Sequence, residues 1–163
     1  MQERFRGMTP ILHSSDSVVH LAAVLLALAS GTAVMVRPKG TRAHRRLGWA
    51  YVGSMVVGLL TAFRLYFLFG RFGLVHWGAV GSAGALLVGT GAAVLRASLP
   101  AWLRWHYVGM GASVTGLYAA LAAEGTYRFF PPRYFWWSTL GPAGVVLCIG
   151  GLLLYRHYHR QFF

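Results

Sequence analysis

The chain has 163 residues, of which 56% are hydrophobic and only 11% are charged, and its formal net charge is +12. This composition, with apolar runs of about 20 residues, excludes an ordinary soluble domain and is typical of a helical membrane protein. The basic residues lie mostly in short loops between the apolar runs, so topology and anionic lipid headgroups explain them better than nucleic-acid binding does. The single cysteine, Cys148, excludes a disulfide framework and a thiolate metal site.

Five apolar segments follow one another along the chain, and we predict that each crosses the membrane as an α-helix. Each can span a hydrocarbon core of about 30 Å at about 1.5 Å per residue. The predicted spans are residues 17–36, 47–69, 74–95, 102–123 and 134–155. The predicted fold class is therefore an all-α integral membrane protein with a single transmembrane domain, residues 1–163. Its first four spans are expected to form a four-helix bundle.

The basic residues also predict an orientation. We call the side that holds the loop between spans one and two the inner side, and the opposite side the outer side. Nine basic residues fall on the inner side and six on the outer side, where all three acidic residues also fall. Because cytoplasmic loops carry the excess of Lys and Arg, we predict a membrane protein with its amino terminus outside and its carboxyl terminus in the cytoplasm. The nine inner residues are Arg37, Lys39, Arg42, Arg45, Arg46, Arg96, Arg104, Arg156 and Arg160.

Four histidines recur near the starts of the first four spans, at alternating sides of the membrane. His20 and His76 fall near the outer side, and His44 and His106 near the inner side. Spans one and three run in the same direction, as do spans two and four, so the histidines form two pairs. A four-helix bundle that binds two haems needs this pattern, because each iron takes two neutral imidazoles at about 2 Å from facing helices. The alternative is a coincidence of histidines that are tolerated at membrane interfaces.

The pattern predicts a b-type electron carrier, because no Cys-x-x-Cys-His motif is present to attach a haem covalently. Haem propionates need cations at each side of the membrane. The candidates are Arg42, Arg45 and Arg104 on the inner side, and Arg64, Arg71 and Arg128 on the outer side. A membrane oxidoreductase that exchanges electrons with quinone or with a redox partner protein fits this interpretation. Association as a homodimer or as a subunit of a complex stays open.

A second interpretation uses the outer histidines for a different metal. Asp16 and His20 are four residues apart and so share one helix face, while His76 and Glu124 fall on the same side of the membrane. Two carboxylates and two imidazoles could bind zinc. A small accessory membrane subunit without a cofactor is a third possibility.

The loop after span one and the starts of three spans resemble the signature of a widespread family of bacterial multi-pass membrane proteins of unknown function. The resemblance covers roughly residues 19–132. It implies a multi-pass membrane protein and no particular reaction. The matching motifs are Lys39-Gly40-Thr41-x-x-His44-Arg45-x-x-Gly48-x-x-Tyr51, Met55, Phe72-Gly73-x-x-His76-Trp77 and Trp102-x-x-x-His106-Tyr107-x-x-Met110-x-x-Ser113, followed by Leu117, Ala119, Ala120, Glu124 and Arg128.

The arrangement of one histidine on each of four consecutive helices, paired first with third and second with fourth, is similar to that of the transmembrane cytochrome b561 group. A lysine shortly before the second histidine, Lys39 before His44, is a further similarity, although its spacing differs. The resemblance implies two b haems and electron transfer across the membrane. By this resemblance, His20 and His76 ligate the outer haem, His44 and His106 ligate the inner haem, and the fifth span is a supporting helix.

Overall fold

The computed structural model describes residues 15–65 and 72–163, and these residues form five α-helices and no strand. The prediction of an all-α chain is therefore confirmed for this part of the protein. Two short 3-10 helices, Tyr127–Phe129 and Pro132–Tyr134, connect the fourth helix to the fifth. The end of the second predicted span and the predicted site residue Arg71 lie outside the described residues. The helices are α1 Ser15–Val36, α2 Arg42–Ala62, α3 Leu74–Val94, α4 Trp102–Thr126 and α5 Phe135–Phe162.

Length and composition distinguish the helices. Among the described residues, three helical segments are long and apolar enough to cross a membrane: Ser15–Val36, Leu74–Val94 and Pro132–Phe162. These segments contain α1, α3 and α5. Helix α2 is more polar because three arginines, Arg42, Arg45 and Arg46, lie within its first five residues.

The turn between α1 and α2 is built by three consecutive residues. The Nζ atom of Lys39 donates to the carbonyl oxygens of Val34 and Met35, both at 2.7 Å, and so caps the end of α1. Gly40 has a φ of 77°, which favours glycine, and Thr41 Oγ1 accepts the N–H of His44 at 3.1 Å as the N-cap of α2. Helix α2 therefore begins at Arg42, five residues before the predicted span, and includes His44 in its first turn.

Helix α4 is the central element of the packing. It lies along α3 on one side and α5 on another, while α1 packs along α2 and touches α4 more lightly. The buried core joins the first four helices through Ala27, Tyr51, Met55, Leu86, Val114 and Leu117. Helices α3 and α4 come closest at Gly89 and Gly109, where a β-carbon on Gly89 would lie 2.6 Å from the backbone nitrogen of Met110. Small residues permit such a backbone approach between helices.

We expect Gly89→Ala to lower the free energy of unfolding by about 2 kcal/mol, because the added methyl group forces α3 and α4 apart. The matched control is Gly91→Ala on the same helix, where a β-carbon would meet nothing within 4 Å. This control should leave stability unchanged or slightly raised, since alanine is the better helix former. Thermal unfolding in detergent, followed by circular dichroism, measures both variants. Equal midpoints for the two variants would contradict the close contact.

Candidate functional site

The structure brings the two inner histidines together. The ring centroids of His44 and His106 lie 6.5 Å apart, with the ring planes at 79°. The Nδ1 atom of His106 lies 2.8 Å from the carbonyl oxygen of Gly89. Because a carbonyl oxygen only accepts hydrogen bonds, Nδ1 carries the proton and the lone pair of a neutral ring is on Nε2. The Nδ1 atom of His44 is buried and has no hydrogen-bond partner among the described residues.

A buried hydrogen bond sets the register of the two helices that carry these histidines. Tyr51 and Ser113 are both fully buried, and their hydroxyl oxygens are 2.8 Å apart. Tyr51 follows His44 by seven residues and Ser113 follows His106 by seven residues, so each lies two turns further along the same helix face. The contact thus aligns α2 and α4 with their histidines at the same level. The equal spacing was present in the sequence, but the sequence analysis did not use it.

The outer histidine of α1 contacts α2. The Nδ1 atom of His20 lies 3.0 Å from the carbonyl oxygen of Gly58 and 2.9 Å from Thr61 Oγ1. The carbonyl oxygen again requires a proton on Nδ1, so the lone pair is on Nε2. In both His20 and His106, a glycine carbonyl oxygen on the neighbouring helix therefore fixes the orientation of the ring. Metal-binding histidines commonly have such a partner on the second nitrogen.

The outer histidine of α3 is oriented differently. His76 is buried, with 4% of its surface exposed, and its Nδ1 atom accepts the backbone N–H of Gly73 at 3.1 Å. The ring stacks on Phe72 with a centroid distance of 4.9 Å and lies near Phe63. Because Nδ1 accepts this hydrogen bond, the proton of a neutral ring is on Nε2. His76 thus caps the start of α3, and its Nε2 atom is a donor in this arrangement.

Four of the six arginines predicted at the two sites have other partners. Arg64 Nε forms an ion pair with Asp16 at 3.3 Å, and Arg128 forms one with Glu124 at 3.2 Å. Arg104 lies over the ring of Phe162, with its guanidinium carbon 5.7 Å from the centroid. On the inner side, Arg45 donates weakly to the carbonyl oxygen of Gly40, at 3.4 Å, and Arg42 is exposed at the start of α2.

The four residues predicted to bind zinc are divided among several partners. Asp16 and Glu124 pair with arginines, His20 bonds to α2, and His76 caps α3. Within residues 15–65 and 72–163, no three His, Cys, Asp or Glu side chains come together in a group that could hold a metal ion.

Comparison of the chain with protein-family models, with curated proteins and with solved structures found no significant match. Inferences about function therefore depend on the geometry of the histidines described above.

Removal of the Tyr51 hydroxyl group tests the hydrogen bond that aligns α2 with α4. We expect Tyr51→Phe to lower the free energy of unfolding by about 1 kcal/mol, because the buried Ser113 hydroxyl loses its partner on α2. Tyr155→Phe is the control, since Tyr155 is 62% exposed, and it should leave stability unchanged. Thermal unfolding of both variants in the same detergent provides the comparison. A Tyr51→Phe midpoint equal to that of the parent chain would contradict the role of this contact.

The hydrogen bonds predict different tautomers for the histidines. In chain prepared without haem and at a pH where the rings are neutral, ¹⁵N NMR of labelled imidazoles should show the Nδ1–H form for His20 and His106 and the Nε2–H form for His76. Single His→Asn variants assign the signals. The same tautomer at all three positions would contradict the partners described here.

Proposed function

We propose that this chain is a b-type haem protein of a bacterial inner membrane that carries electrons across the bilayer, with two haems on the two histidine pairs. The observation that carries the proposal is the alignment of His44 and His106 on facing helices. When bound, haem supplies a reversible one-electron centre. The chain itself fixes the tautomers of His20, His76 and His106 through hydrogen bonds, and it buries His76 and partly buries the other three rings.

The spacing of the inner pair fits ligation of one iron. An iron held between two imidazoles at about 2 Å from each nitrogen would require ring centres roughly 6 Å apart. The rings of His44 and His106 are 6.5 Å apart. The bond from His106 to Gly89 directs the Nε2 lone pair away from α3, as a ligand requires. The Nδ1 atom of His44 is buried and has no hydrogen-bond partner among the described residues. This agrees with a ring whose surroundings are complete only when a further group is bound.

The outer pair has one ring, His20, in the tautomer that a ligand requires. His20 presents a free Nε2 lone pair because Gly58 holds its Nδ1 proton. His76 presents the opposite tautomer and must give up the Gly73 N–H to become a ligand through Nε2. We therefore expect the outer site to bind haem less tightly than the inner site.

The remaining parts of the proposal concern the membrane. Five spans, with the first four as a bundle, agree with a core that joins α1 to α4 and with three segments that are apolar enough to cross a bilayer. The excess of basic residues on the inner side favours a cytoplasmic carboxyl terminus. The similarity to cytochrome b561 proteins in histidine arrangement favours the same class of activity. Quinone or a redox partner protein is the proposed source of electrons.

The alternatives have less support. The outer-face zinc site requires Asp16 and Glu124, and each carboxylate is paired with an arginine. The hypothesis of an accessory subunit without a cofactor does not explain why His44 and His106 are aligned. We therefore retain the haem carrier as the proposal.

Visible spectra of the detergent-purified chain, produced with ample haem, test the proposal. The dithionite-reduced protein should show six-coordinate b-haem bands, and a pyridine haemochrome assay should count two haems per chain. His44→Asn and His106→Asn should each remove one haem, and His20→Asn the other. His159→Asn, at the exposed end of α5, is the matched control and should retain both. A colourless parent protein would refute the haem proposal, and an unchanged haem count in His106→Asn would refute the inner site.

A further inference from the structure

Helix α5 is longer than a membrane crossing requires. Its 28 residues extend over about 42 Å at about 1.5 Å per residue, compared with a hydrocarbon core of about 30 Å. Its carboxyl-terminal turns therefore reach beyond the apolar part of a bilayer. The sequence in these turns becomes cationic through Arg156 and Arg160, with His157 beside them.

One face of α5 changes from apolar to cationic along its length. Ile149 and Leu153 are four residues apart, and Arg156, His157 and Arg160 continue the same face at spacings of three and four residues. The two apolar side chains are more than half exposed, at 56% and 51%. The upper part of this face forms an open hollow of about 180 Å³, lined by Leu153, Arg156, His157 and Arg160. A site with an apolar lower part and a cationic upper part matches a molecule with an acyl chain and a phosphate.

The opposite face of these turns is anchored to α4. The ring of Tyr158 lies 6.4 Å from that of Tyr107, and the ring of Phe162 lies 5.8 Å from it. The Arg104 guanidinium also packs over Phe162. This contact holds the end of α5 against the bundle and leaves the cationic face exposed.

The two arginines of the hollow have no carboxylate partner within the described residues. The ion pairs found in that part of the chain are Asp16 with Arg64 and Glu124 with Arg128. Arg156 and Arg160 are exposed and therefore available to an external anion. Arginine binds phosphate oxygens with two parallel hydrogen bonds, which makes it well suited to a phosphate headgroup.

We propose that this face of α5 binds an anionic phospholipid, with its phosphate between Arg156 and Arg160 and its acyl chain along Leu153 and Ile149. A free phosphate ion would use the arginines but would leave the exposed apolar part of the face uncovered. The lipid covers both parts, and it is present wherever the chain lies in a membrane. Basic residues clustered just beyond the end of a membrane helix bind anionic lipid headgroups on this electrostatic principle.

Titration of the full-length chain in neutral detergent with dioleoylphosphatidylglycerol tests the proposal, with bound lipid counted by native mass spectrometry. We expect Arg156→Gln/Arg160→Gln to weaken binding at least about tenfold, since each basic residue near a lipid headgroup contributes appreciably. Arg156→Lys/Arg160→Lys keeps the charge and should lose only a few-fold. The matched control Arg37→Gln/Arg96→Gln removes two exposed inner-side charges outside the hollow and should bind as the parent does.

Three results would overturn the proposal. Equal weakening in the control and the Arg156/Arg160 variant would mean that diffuse surface charge binds the lipid. Unchanged binding in the Arg156/Arg160 variant would exclude the hollow. Displacement of the lipid by an equal concentration of inorganic phosphate would show a site for the ion alone. If the double glutamine variant fails to fold, Arg156→Gln and Arg160→Gln are measured separately, and each should weaken binding several-fold.

Discussion

The arrangement of the histidines depends on the buried hydrogen bond between Tyr51 and Ser113. It is a polar contact between α2 and α4 in an apolar interior, where an unpaired hydroxyl group is costly, so it favours one register over its neighbours. A shift of either helix by one turn would break this bond and would also separate His44 from His106. Helix α1 supports the contact, because Gly31 leaves room for the Tyr51 ring, which lies 2.9 Å from where a β-carbon would be. Packing and the candidate site thus share one constraint.

Much of this arrangement follows from the sequence, and the rest depends on backbone contacts that residue spacing does not show. The all-α fold follows from the apolar runs. The proximity of His44 to His106 follows from their positions at the starts of spans two and four, which run in the same direction. Helix α2 begins five residues before the predicted span because Thr41 caps it within the basic loop. The bond from His106 to Gly89 depends on how closely α3 approaches α4, which residue spacing cannot specify. The five-span bundle itself stays a proposal.

The histidines are not equivalent, because their Nδ1 atoms have different hydrogen-bond partners. An imidazole has two nitrogens, and in the neutral form only one of them carries a proton. His20 and His106 donate that proton to glycine carbonyls on neighbouring helices, which leaves the other nitrogen able to bind a metal. His76 accepts from the backbone at the start of α3 instead. The capping role stabilises α3 and would oppose ligation of a metal by His76.

The two ends of the molecule also differ in their charge. On the outer side, each described carboxylate is paired with an arginine, so positive and negative charges largely cancel locally. Such exposed pairs add little stability, but they remove cations that would otherwise bind anions. On the inner side no described carboxylate opposes the arginines, and the positive potential is left for external partners. Haem propionates near Arg42 and a lipid phosphate at the end of α5 would both respond to this potential. The two ends therefore differ in charge because the described acidic residues, Asp16 and Glu124, lie on one side only.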